Sequence, residues 1–411
     1  MSRFFTNASW GLLASVLPLA LAGAAFADEV TDWHEHMLVA LTKGGGNSQI
    51  RSRNAAHVSA AVFDAVNGIE RRYTPIHVPA DAPRGASKRA AAVQAAYAIL
   101  LSKFPAQADE LAAKRDASLA AIGDGGQSKR RGVEWGQFVA DAILEWRNTD
   151  GFTPAPPPYL GSDEPGKWRP TPPARLAGAV PQFATMTTWG ILWPHQFRPP
   201  GPPALGSEQY LNDYNETRRM GSLNSEFRNA DQTDACRFWE SGSPTHLWDR
   251  AALDLLATRE TELSENARLL AALNLAIADA LIACWDAKYH YEFWRPVTAI
   301  QLTDDPGWTP LMATPAHPEY PSGHSSASSA AAAVLADYFG DDTPFSLKSP
   351  ATPGWVRSYP SFSASMDEVA DARVFAGFHF RTACRDGRIL GSTVASYILE
   401  NLMVRIHGEG D

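Results

Sequence analysis

Apolar residues recur every three or four positions along most of the chain, and strand-like alternation is almost absent. Ala55, Val58, Val62, Ala65, Val66 and Ile69 form one such series. Val93, Ala96, Tyr97, Leu100, Leu101 and Phe104 form another, and Trp135, Phe138, Val139, Ala142, Ile143 and Trp146 a third. Each draws a single apolar stripe on a helix. From Leu263 to Trp285 the pattern is apolar nearly all round, interrupted by Asn274 and Asp279. A helix of that kind belongs in the middle of a bundle. The pattern predicts an all-α helical bundle.

Between 151 and 205 the helical pattern stops. Fourteen of the 30 prolines fall there, a density that forbids both helix and strand ladders. The segment also carries Phe152, Tyr159, Trp168, Phe183, Trp189 and Trp193, which a solvated linker does not need. It is expected to be a long proline-rich loop packed over the bundle, within one domain spanning 28–411. Residues 1–27 read as a signal peptide. Arg3 opens it, an uncharged apolar run follows from Gly11 to Ala25, and Ala25-Phe26-Ala27 offers a cleavage site. No later stretch is expected to cross a bilayer, so the mature chain is expected to be secreted or periplasmic.

The net charge of −9 argues against a nucleic-acid partner and makes converging basic residues informative. Cys236, Cys284 and Cys384 make neither a disulfide framework nor a zinc pattern. One bridge is compatible with an oxidising compartment; buried free thiols are the simpler expectation.

Three segments carry candidate chemistry. Lys288 and Arg295 close the central helical stretch, ahead of Pro296. Seven residues apart, they share a face if the helix runs on, with Glu292 as a possible partner of Lys288. Next comes Pro318-Glu319-Tyr320-Pro321-Ser322-Gly323-His324, followed by a Ser/Ala run that reads as a helix beginning. Free amides at a helix start, beside a glycine, form an anion cradle. The third segment joins Arg373 to His379, which reach one ligand only if the chain turns near Gly377. Taken singly, each also reads as ordinary structure: a solvated basic face, a Ser-Gly cap, a core histidine.

Together and in this order, K-x6-R-P, P-S-G-H and R-x5-H resemble the vanadium-dependent haloperoxidases and non-specific acid phosphatases of the type 2 phosphatidic acid phosphatase-like superfamily. Upstream, Gly166-Lys167-Trp168-Arg169-Pro170 is similar to secreted bacterial members. The resemblance implies the helical bundle of that family. It implies an oxyanion held by Lys288, Arg295 and Arg373 with Ser322 and Gly323, His379 as the axial metal ligand or nucleophile, and His324 as acid/base. For a peroxidase the cofactor is vanadate and the partners are hydrogen peroxide, a halide and a small organic acceptor. For a phosphatase no cofactor is needed, the partners are phosphate esters, and His379 forms a phosphohistidine.

His317 resembles the bromide-oxidising members, Trp294 matches a tryptophan on the halide side, and the long proline-rich segment is similar to peroxidases. These favour a haloperoxidase using bromide rather than chloride; an acid phosphatase and a non-catalytic oxyanion binder remain the alternatives. Two departures stand out. Ala372 replaces a frequent serine, and Ala383 stands where the peroxidases often carry an acid shortly after the histidine. Asp279 and Asp286 are candidate replacements for that acid.

Overall fold

Residues 27–406 are described by a computed structural model, so nearly all of the expected leader lies outside the described residues. Helices α1 (Glu29–Gly44), α2 (Ser48–Glu70), α3 (Lys88–Lys103), α4 (Ala108–Ala121) and α5 (Gly126–Asn148) form the first half. The three stripes fall on α2, α3 and α5. On α5, Trp135, Val139 and Ile143 are buried, whereas Phe138 is 51% exposed and stacks on Trp135.

After the proline-rich segment come α6 (Glu208–Met220), α7 (Ala230–Glu240), α8 (Pro244–Leu256), α9 (Leu263–Tyr291), α10 (Pro296–Thr303) and α11 (Gly323–Phe339). A short antiparallel hairpin, β1 (Phe345–Lys348) with β2 (Val356–Tyr359), precedes α12 (Phe362–Phe375) and α13 (Arg381–Asn401). Among the described residues the fold is all-α apart from this ribbon.

Helix α9 is the axis, packed against α2, α11 and α13. Contrary to expectation, its length and composition suit a membrane span, yet 94% of its apolar window is buried inside the bundle. It ends at Tyr291, where Glu292 turns left-handed at φ 54°. Arg295 then caps α10 and Pro296 opens it rather than stopping α9. Lys288 and Arg295 therefore do not share a helix face. Glu292 pairs with Lys167 at 3.1 Å instead of Lys288.

In the 151–205 segment Trp168 and Phe183 are fully buried, whereas Trp193 is 50% exposed. Its anchors are acids on α9. Asp279, fully buried, accepts from the amides of Trp189, Gly190 and Ile191 at 2.7, 2.7 and 3.0 Å. Asp286 holds Arg198 at 2.7 and 2.8 Å. Both acids thus hold the loop, and their expected role beside the histidine falls away. Cys236, Cys284 and Cys384 are buried and free.

Two glycines bring the last helices into place. Gly377 has φ +79°, and an added Cβ would lie 2.8 Å from the Gly221 carbonyl. It makes the expected turn between α12 and α13. At Gly391 a Cβ would sit 2.0 Å from the Ser326 carbonyl, so α13 lies directly on the small-residue face of α11.

Candidate functional site

A cavity of about 400 Å³ opens where the N-terminus of α11, the C-terminus of α12 and the turn before α13 meet. Gly323, His324, Arg373, His379 and His317 line it, together with Trp285 and Glu240. Five of the expected site residues therefore converge on one space.

His379 is 2% exposed. Its Nδ1 lies 2.9 Å from Glu319 Oε1, which also accepts the Phe380 amide at 2.9 Å. Arg295 Nη1 lies 3.2 Å from the other ring nitrogen, Nε2. Burial, reinforced by Arg295, Lys288 and Arg373, pushes the imidazole well below its ordinary pKa. The carboxylate missing at Ala383 thus has a counterpart in Glu319, one element away.

Arg295 stands behind the cavity wall, fully buried. Its Nε donates to the His317 carbonyl at 2.9 Å, Nη1 to Phe378 O at 2.8 Å, and Nη2 faces His317 Nδ1 at 2.9 Å. Burial pushes it down to about 10. Arg373, 1% exposed, donates from Nη1 to Glu240 at 2.7 Å. Its Nε is buried without an acceptor among the described residues. A buried donor left open is costly unless a ligand fills it.

Lys288 departs from expectation. Its ammonium donates to the carbonyls of Pro318, Glu319 and Pro321 at 2.8, 2.9 and 2.5 Å, so it faces the 318–321 loop and does not line the cavity. The loop wraps the last turns of α9 and offers carbonyls where an anion was expected. Burial lowers this lysine to about 7.

Ser322 is buried, and its hydroxyl caps α11, accepting the Ser325 amide at 3.3 Å, rather than lining the cavity. The Gly323 and His324 amides in that first turn have no acceptor among the described residues. His324 is half-buried, and burial together with Arg373 holds it well below its ordinary pKa.

Trp294 lies elsewhere. It lines a separate cavity of about 550 Å³ with Leu205, Tyr210 and Tyr214. Its neighbours Phe293 and Glu292 bond to the backbone of Gly166–Trp168, and the Trp294 ring lies on that other side. Trp285 occupies the cavity wall instead, its ring 4.8 Å from His317 and its Nε1 donating to Ala179 O at 3.2 Å.

Sequence reasoning missed Glu319, Trp285 and Glu240 as site residues. A lone acid among prolines at 319, and a tryptophan one helical turn before Lys288, were the available signals. Nothing local marked Glu240.

These features define an all-helical protein with a buried cationic and imidazole site opening on a small cavity. A family model described as the VCPO second helical-bundle domain matches residues 268–408. The chain is 25% identical over 366 residues to the vanadium chloroperoxidase of Curvularia inaequalis, a match covering 65% of this chain and 59% of that protein's length. Among solved structures, a bacterial vanadium-dependent iodoperoxidase aligns with TM-score 0.81 and 25% identity, over 92% of this chain and 98% of that one. A holo-type bacterial vanadium-dependent chloroperoxidase shares the fold, with TM-score 0.72 and 19% identity over 92% and 98% of the two chains. The chain is thus similar to vanadium haloperoxidases in its second helical bundle and in its overall fold.

Proposed function

We propose that the protein is a vanadate-dependent haloperoxidase that uses hydrogen peroxide to oxidise a halide, bromide rather than chloride, and so halogenates small organic acceptors. One observation carries this reading: His379, Arg373 with its open Nε, and the first turn of α11 with its free amides line one cavity, and Arg295 backs it through His379 Nε2. That donor set suits a tetrahedral oxyanion with one imidazole ligand, so vanadate fits the residues present. When bound, vanadate supplies a Lewis acid that activates peroxide toward the halide.

The chain's own part is binding and proton handling. His379 would hold the vanadate through Nε2, the ring nitrogen that faces Arg295. Arg295 and Arg373 compensate the charge of the oxyanion, and the Gly323 and His324 amides add neutral donors at the positive end of α11. Such fixed donors need little reorganisation as charge develops. His324, kept neutral by burial and by Arg373, would hold or release a proton at its imidazole beside the oxyanion. Lys288 supports the site through the 318–321 loop. His317 and Trp285 wall the side from which a halide approaches, and His317 is the basis for naming bromide.

The test is to add orthovanadate to purified apo-protein and assay bromination of a dione reporter beside hydrolysis of an aryl phosphate. Vanadate-dependent bromination is the expected result. Phosphatase activity inhibited by vanadate would replace the proposal with the phosphohistidine enzyme, and tight anion binding without either reaction with a non-catalytic binder. We also propose export after loss of residues 1–27, which N-terminal sequencing of the mature protein tests.

A further inference from the structure

We propose that Glu319 is the positioning residue for His379, fixing both the direction of the ring and the nitrogen that carries its proton. The inference rests on reading His379 as the imidazole that meets the oxyanion, but its geometry stands apart from any turnover.

Two contacts assign the same tautomer independently. Glu319 Oε1 accepts the Phe380 amide at 2.9 Å, and as a carboxylate oxygen it can only accept. The His379 Nδ1 facing it at 2.9 Å must then bring the proton. On the far side of the ring, Arg295 can only donate, so Nε2 at 3.2 Å must be bare. The result is a neutral imidazole with its lone pair on the nitrogen that meets Arg295.

Glu319 is well suited to hold that arrangement. Its own amide donates to Phe293 O at 2.9 Å, and its carbonyl takes Lys288 Nζ at 2.9 Å. The same ammonium grips Pro318 and Pro321, so the residue is fixed on both sides. The side chain is 1% exposed, and Oε2 has no partner among the described residues. Burying a carboxyl with one oxygen unpaired costs free energy that an apolar residue would avoid. What the carboxyl provides in return is the acceptor for His379 and for the amide next to it. Without it, the alternative tautomer would place a proton on Nε2, donor against donor with Arg295, and remove the lone pair needed for a ligand.

The test uses full-length apo-protein labelled with ¹⁵N-histidine, with His379→Ala assigning the resonances and inorganic phosphate as the calorimetric probe. The wild type should show a protonated Nδ1 and a bare Nε2. Glu319→Ala should mix the tautomers and weaken phosphate binding by roughly tenfold or more, whereas Glu319→Gln, which keeps an acceptor oxygen, should restore the wild-type tautomer and most of the affinity. A wild-type spectrum with the proton on Nε2 overturns the proposal without any variant, should Glu319→Ala fail to fold. So does a folded Glu319→Ala with unchanged tautomer and affinity, or a Glu319→Gln as damaged as the alanine. If the wild type catalyses neither reaction, the functional reading fails while the tautomer measurement still decides the role of Glu319.

Discussion

Arg295 Nη1 and His379 Nε2 face each other at 3.2 Å across 84 positions of sequence, joining the start of α10 to the turn before α13. The same guanidinium reaches the His317 ring and two backbone carbonyls, so it orients two cavity imidazoles at once. A lysine keeps the charge but not the planar fork. Arg295→Lys should weaken phosphate or vanadate binding by roughly 100-fold, the loss of two charge-assisted hydrogen bonds at about 1.5 kcal/mol each. Calorimetry on the apo-protein reads this; affinity within threefold of wild type would contradict it.

The two tryptophans should separate. Trp285→Phe removes the Nε1 contact to Ala179 and loosens the wall beside His317, and should raise the bromide KM. Trp294→Phe, on the other cavity, should leave both bromide KM and phosphate affinity within about twofold, as remote substitutions do. Steady-state kinetics on both variants decides between them; an equal effect would refute the separation.

Asp279 anchors the proline-rich segment through three amides. Asp279→Ala strands those donors in the core and should cost about 3–5 kcal/mol. Denaturant unfolding measures the loss, and limited proteolysis should newly cut around 187–192. An unchanged midpoint with no new cleavage would show that the segment is held by its aromatic side chains alone.

At Gly377 the backbone has φ +79° and an added Cβ meets carbonyl oxygen at 2.8 Å. Gly377→Ala should therefore destabilise by about 2 kcal/mol or more through backbone strain and clash together. A melting temperature within one degree of wild type would be the contrary result.

His34 provides a pH-dependent test remote from the cavity. It is fully buried, its Nδ1 facing Val30 O at 2.8 Å and Nε2 facing Ser59 Oγ at 3.0 Å, and burial lowers it to about 4. Its folded pKa lies below the unfolded one. Protons therefore bind the unfolded chain preferentially as pH falls from about 6.5 towards 4, and stability is lost in that window. The shift from 6.5 to about 4 corresponds to about 3 kcal/mol. His34→Gln should be less stable than wild type at pH 7, with most of that gap gone by pH 4. Urea unfolding at both pH values checks it, and a gap that widens on acidification would be the wrong sign.

How far the chain could be read without coordinates depended on the range of the interaction involved. Stripes on α2, α3 and α5, the buried axis α9, the break at Gly377 and the cradle at Gly323 are local patterns, because helical periodicity and backbone freedom act within a few residues. The order of Lys288, Arg295, Ser322, Gly323, His324, Arg373 and His379 was equally visible as a linear motif.

What each side chain faces was not visible, because it depends on partners distant in sequence. Packing α13 onto α11 brings Glu319 to His379 across 60 positions, and the 318–321 loop takes up the whole Lys288 ammonium. The left-handed turn at Glu292 ends α9 before Arg295, and Trp294 lies away from the cavity it was expected to line. Sequence by itself determined which chemical groups the protein carries and which helices present them. Only the tertiary structure decided which buried donor meets which acceptor, since burial obliges most polar groups to find a partner and packing chooses which one is near.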